Sequence, residues 1–158
     1  MRTSASIAGH PVHPMLIPFP FALWTFSLIA DAIYYFFDHN AASIWDDIAF
    51  YTMAAGTVGA VIAAVPGLID YFSIKDPRVS KLAGWHARLN VLALLIFGAS
   101  LYLRTFKGSD MVGRSLTIPV LLSILGIILI SISGWLGGEM VYKHGVAVEA
   151  VRDEPPAT

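Results

Sequence analysis

Apolar residues fall along this chain in four long blocks separated by short polar connections. The first block covers 15–37, with Asp31 as its single charge and Pro14, Pro18 and Pro20 at its start. Prolines suit a helix start, because the first turn has no internal hydrogen bonds to lose. The second covers 48–72, with Pro66 near its end. The third, 89–103, is 15 residues, and extending it back to Trp85 gives 19, which draws His86, Arg88 and Asn90 into the first turns. The fourth covers 116–136 and continues to Tyr142, carrying Glu139. About 20 apolar residues at about 1.5 Å each cross a hydrocarbon core of about 30 Å. The pattern predicts an all-α fold, a bundle of four transmembrane helices over 1–147, followed by a short polar tail at 148–158. Residues 38–47, 73–84 and 104–115 are the expected connections. The first block is too long, carries an aspartate and ends in aromatics, so a retained helix is expected there and not a cleaved signal. No internal repeat and no low-complexity tract is visible in the sequence.

Composition sharpens this picture. Of 158 residues, 56% are hydrophobic and 13% charged, with a mean hydropathy of +0.68. A soluble domain carries about 25% charge, so lipid is the expected surroundings. A net charge of -1 speaks against nucleic acid as a partner. With no cysteine, disulfides, thiolate-held iron–sulfur clusters and c-type haem attachment are excluded. Four spans put the N-terminus, 73–84 and the C-terminus on one side. That side carries Arg2, Lys75, Arg78, Lys81, Arg88, Lys143 and Arg152, against Arg104, Lys107 and Arg114 on the other, beside Asp38, Asp46, Asp47 and Asp110. The excess predicts that both termini are cytoplasmic. In the second block Ala55, Gly59, Ala63 and Gly67 recur every four residues, with Gly56, Ala60 and Ala64 beside them. Such spacing predicts close helix contact, either within the bundle or as a homodimer seam.

The candidate chemistry lies in the histidines. His10 and His13 precede the first helix, His86 begins the third and His144 follows the fourth, so all four are expected at one membrane face. Asp70 and Glu139 end helices at that face, and His39 lies on the other side. Neutral imidazole ligates zinc, copper and haem iron, and carboxylates complete or orient such sites. His13 and His86 are therefore the expected cofactor ligands, with His10, His144 and Glu139 completing a metal site and Asp70, Asn90 and Asp31 as supporting polar groups. Because the residue before a proline disfavours helix, His10 and His13 are both expected in extended chain. Met140 and His144, four apart, share a face if the last helix reaches that far, a pair suited to copper. A copper, iron or zinc ion and haem b both stay open; histidines on different helices of a bundle can hold b-type haem. Ligands at helix ends fit an ion better. The plainer reading makes these residues interfacial anchors and a polar cap. No nucleophile-and-base constellation specifies a hydrolase.

At these residues the chain resembles the DUF2231 family of small bacterial membrane proteins. The matching segments are GHPVHPMLIPFP at 9–20, GWHARLN at 84–90 and GWLGGEMVYKHG at 134–145, and the resemblance covers about 8–147. It implies the four-helix membrane fold and a bacterial inner membrane, and leaves the function unassigned. Some relatives look fused to Rieske-type iron–sulfur domains, which implies electron transfer and a Rieske-type or other redox partner.

Three functions are carried forward: a histidine-held metal or haem site in electron transfer, a structural subunit of a larger respiratory or photosynthetic complex, and ion or proton transport through Asp31, Asp70 and Glu139. Four spans without an inverted repeat are few for an alternating-access carrier.

Overall fold

The computed structural model describes residues 4–38, 43–105 and 117–148. Arg2, His39, Lys107, Asp110, Arg114, Arg152 and the tail from 149, all used in the sequence reading, lie outside the described residues. A small hairpin of β1 (Ser6–Ile7) and β2 (His10–Pro11) leads into α1 (Val12–Leu16) and α2 (Pro18–Phe37). Then come α3 (Ile44–Ser73), α4 (Pro77–Thr105) and α5 (Thr117–Tyr142). Val12–Phe37, α3, α4 and α5 are each long and apolar enough to cross a membrane. The protein is an all-α bundle of four membrane-spanning helices, as the apolar blocks predict.

Local chemistry sets the ends. Pro18 and Pro20 occupy the first turn of α2, where a missing N–H costs nothing, so the chain breaks at Ile17 and starts again. Ser43 caps α3 by accepting from the Trp45 N–H at 3.2 Å, and Asp46 and Asp47 lie against its positive end. Pro66 lies inside α3 and removes one of its hydrogen bonds, which spanning helices tolerate.

Four expectations change. The connection expected at 73–84 is only 74–76, because Pro77 starts α4 and Asp76 accepts from the Arg78 N–H at 2.8 Å. Residues 77–84 look polar, yet Val79 and Ala83 bury themselves against Met140 and complete an amphipathic turn. His86 thus lies about two and a half turns inside α4 and not at its start. At the other end α4 runs through Arg104, which is buried in the bundle and not part of the loop. His13 is helical, not extended: Pro14 falls in the first turn of α1, where its ring displaces no hydrogen bond. Finally, α5 ends at Tyr142, so Met140 and His144 do not share a helical face; Met140 is buried and His144 exposed.

The helices pack as two hairpins, α2 against α3 and α4 against α5, which then join. The core at the join contains Trp24, Met53, Ala93, Phe97 and Ile130. The Trp24 and Phe97 rings stack there, centroids 3.9 Å apart and planes 12° from parallel. Most of the small-residue series in α3 is consumed inside the bundle: Gly59 faces Pro20, Gly67 faces the His13 ring, and Ala63 is buried. Of the four, Ala55 is exposed, Gly59 and Gly67 are half-buried and Ala63 is buried. Outward-facing Val58, Val65, Leu95, Leu121 and Ile128 are exposed, as helices bathed in hydrocarbon require. The hairpins also repeat each other's contacts, an internal repeat that the sequence does not announce.

Candidate functional site

Of the five expected ligands, the structure brings His13 and His86 together. Their ring centroids lie 6.3 Å apart with planes at 89°. Each imidazole is pinned from behind. His13 Nδ1 donates to the Ala63 carbonyl of α3 at 2.8 Å, and His86 Nδ1 donates to the Ser133 carbonyl of α5 at 2.8 Å. A carbonyl can only accept, so each Nδ1 carries the hydrogen. In the neutral ring, Nε2 then keeps its lone pair, the tautomer used by many metal-binding histidines.

Glycine makes room for both rings. A Cβ on Gly67 would meet His13 Cε1 and Nδ1 at 2.8 Å, and one on Gly137 would meet His86 Cε1 at 3.2 Å. The Nδ1–Cε1 edge of each ring therefore packs on its glycine, and the Nε2–Cδ2 edge turns away from it. Around His86 the supports are polar. Asn90 Nδ2 donates to the His86 carbonyl at 2.8 Å and to Ser133 Oγ at 2.6 Å, and Ser133 Oγ donates to the same carbonyl at 3.2 Å.

The other expected ligands are elsewhere employed. His10 and His144 are exposed. Glu139 pairs with Lys143 at 3.0 Å along the surface of α5. Asp70 accepts from the Ala5 N–H at 2.8 Å and ties the N-terminal hairpin to the end of α3. Among the described residues, no three of His, Asp and Glu gather as a metal-binding group. The site is a pair of imidazoles, not a cluster of five. An ion bonded to both Nε2 atoms at about 2 Å would set the centroids about 5 Å apart at a tetrahedral angle and about 6 Å apart in a linear arrangement, and the observed 6.3 Å lies at the linear end.

Sequence reasoning missed a second polar site. Asp31, 2% exposed, and Arg104, 5% exposed, form a two-pronged ion pair at 2.7 and 2.5 Å. Ser100 Oγ receives Arg104 Nε at 3.5 Å and itself donates to the Pro119 carbonyl at 2.8 Å. The available signal was Arg104 itself, which directly abuts the third apolar block. This pair lies at the end of the bundle opposite the histidines, since the first span, Val12–Phe37, rises about 27 Å between positions 13 and 31.

Residues 9–150 match the family described as predicted membrane protein (DUF2231). No curated protein and no solved structure matches the chain.

Proposed function

The chain belongs to the DUF2231 family of predicted membrane proteins, and from that premise we propose that it carries a redox metal centre on His13 and His86 at one membrane face. The observation behind this reading is that each Nδ1–H is committed to a backbone carbonyl, so both Nε2 lone pairs remain available at a spacing that suits one metal ion. An iron or copper ion, or the iron of haem b, would supply a one-electron carrier there. The protein's own work is to fix the tautomer of each ring, to hold the two rings on different helices, and to surround them with apolar helix. A Rieske-type or other redox protein docking at that face is the expected partner. The membrane is a bacterial inner membrane, with the histidine face and both termini cytoplasmic. Lys75, Arg78, Lys81, Arg88 and Lys143 support that orientation, and it gains because Arg104 is buried and no longer counts for the other side.

The test is the metal content and absorption spectrum of protein purified gently in detergent. Stoichiometric copper or iron, or a haem Soret band, supports the proposal. Protein that carries none and acquires none when copper, ferrous iron or haemin is offered overturns it. In that case the structural-subunit reading takes over, which the use of each Nδ1 as an interhelical pin and the glycine seat of each ring already favour.

A further inference from the structure

The two hairpins carry the same contacts at matched positions. Residues 13, 20, 24, 27 and 31 of the first span answer to 86, 93, 97, 100 and 104 of the third, a constant step of 73. Residues 49, 53, 56, 63 and 67 of the second answer to 119, 123, 126, 133 and 137 of the fourth, a constant step of 70. Burial agrees at all ten matched positions.

The contacts agree as well. His13 donates to the carbonyl of residue 63, and His86 to that of residue 133. Ser27 Oγ donates to the Ala49 carbonyl at 2.7 Å, and Ser100 Oγ to the Pro119 carbonyl at 2.8 Å. Trp24 fills the notch at Gly56, and Phe97 fills the notch at Gly126. His13 fills Gly67, and His86 fills Gly137.

Three residues also touch their own counterparts: His13 meets His86, Trp24 stacks on Phe97, and Asp31 pairs with Arg104. A position that contacts its own equivalent lies on a two-fold axis. Because α2 and α4 cross the membrane in the same direction, that axis runs along the membrane normal.

We infer that the chain is two copies of one helical hairpin closed about a pseudo-two-fold axis, and that Asp31 and Arg104 make each hairpin accept an oppositely charged counterpart in place of one like itself. Two identical hairpins would bring like residues together at the axis. Paired histidines, serines or aromatics are harmless there, but two aspartates or two arginines in a buried site would repel. Opposite charge at this one tier favours the first hairpin with the second, and disfavours either hairpin with its own kind. The axial face of the first hairpin is thus an interface built for a hairpin of the same shape that carries a cation at the matched position.

The full-length chain tests this directly. D31R, R104D and the exchanged double variant D31R/R104D are purified in mild detergent and compared by thermal unfolding and size-exclusion chromatography. Each single variant places like charges on the axis, and is expected to melt at least about 10 °C lower or to aggregate. The exchanged pair is expected to recover most of the loss. Two-fold equivalence gives it the same separation, and an arginine at 31 finds Ser27 four residues earlier, as Arg104 finds Ser100. Should neither single variant fold, the double variant still decides: a monodisperse, folded exchange supports the inference. An exchange no better than the single variants overturns it, and so do single variants as stable as the parent.

Discussion

His13 and His86 stand 6.3 Å apart, centroid to centroid, each held through Nδ1 by a carbonyl of a different neighbouring helix. If they share a metal, each supplies one bond and neither has a substitute, since His10 and His144 are exposed and Glu139 is paired with Lys143. His13→Ala and His86→Ala are therefore expected to lose bound metal or haem to the same extent, as measured by elemental analysis and absorption of purified protein. Glu139→Gln and His144→Ala should retain it. Acid should release it from the parent, because a protonated imidazole has no lone pair to give. A large loss on Glu139→Gln would mean that the ligand set extends along α5.

The glycine notches grade a second prediction. A methyl group at Gly126 would come within 2.6 Å of the fully buried Phe97 ring, and one at Gly67 within 2.8 Å of His13. Neither ring can retreat freely, so Gly126→Ala and Gly67→Ala should each destabilise by about 1–3 kcal/mol. Gly67→Ala should also weaken metal retention, because it moves a ligand. At Gly137 the approach is 3.2 Å, and a few tenths of an ångström of ring movement relieves it, giving a smaller cost. Gly98 has open space around its would-be Cβ, and Gly98→Ala should be neutral or stabilise by up to about 1 kcal/mol through helix propensity. Thermal melts of the four variants in one detergent check the order.

The bundle was legible in the sequence because lipid demands unbroken apolar runs of fixed length, and such runs are local. The start of α4 was not, since residues 77–84 bury only Val79, Ala83 and Gly84 and owe their helix to Pro77 and Asp76. His13 and His86 were legible as a pair because a four-span topology carries both to one face. His10, His144 and Glu139 were expected at the same face, but sharing a face does not fix side-chain position at ångström scale. The Asp31–Arg104 pair joins residues 73 apart in the chain, and no local pattern links them. The repeat escaped notice for a related reason. What it conserves is burial, glycine notches and carbonyl acceptors, while side chains such as Trp24 and Phe97, or Asp31 and Arg104, differ in identity.

Asp31→Asn separates the two polar sites. It leaves the buried guanidinium of Arg104 without its counter-charge, a loss of about 3–5 kcal/mol when one partner of a buried pair is removed. The melting temperature should fall on the order of 10 °C for a chain of this length. Metal or haem retention in the surviving folded fraction should be unchanged, because the pair lies at the far end of the bundle. Loss of the metal without loss of stability would place the redox site at Asp31 and not at the histidines.

The last prediction concerns orientation. Lys75, Arg78, Lys81, Arg88 and Lys143 lie at the histidine face, and short positively charged segments next to spans resist export. The opposite face loses Arg104 to the interior, where Asp31 neutralises it. Charge bias and the even number of spans together predict that both termini, and with them the His13–His86 pair, lie on the cytoplasmic side. Single cysteines placed at Ser80 and at Asp47, in a chain with no native cysteine, report this by labelling of intact cells with a membrane-impermeant maleimide. Asp47→Cys should label from outside once the outer envelope is permeabilised, and Ser80→Cys only after the inner membrane is opened. The reverse pattern would turn the protein over in the membrane and move its expected redox partner to the other compartment. The two residues would still label from opposite sides, because that follows from α3 crossing the bilayer once.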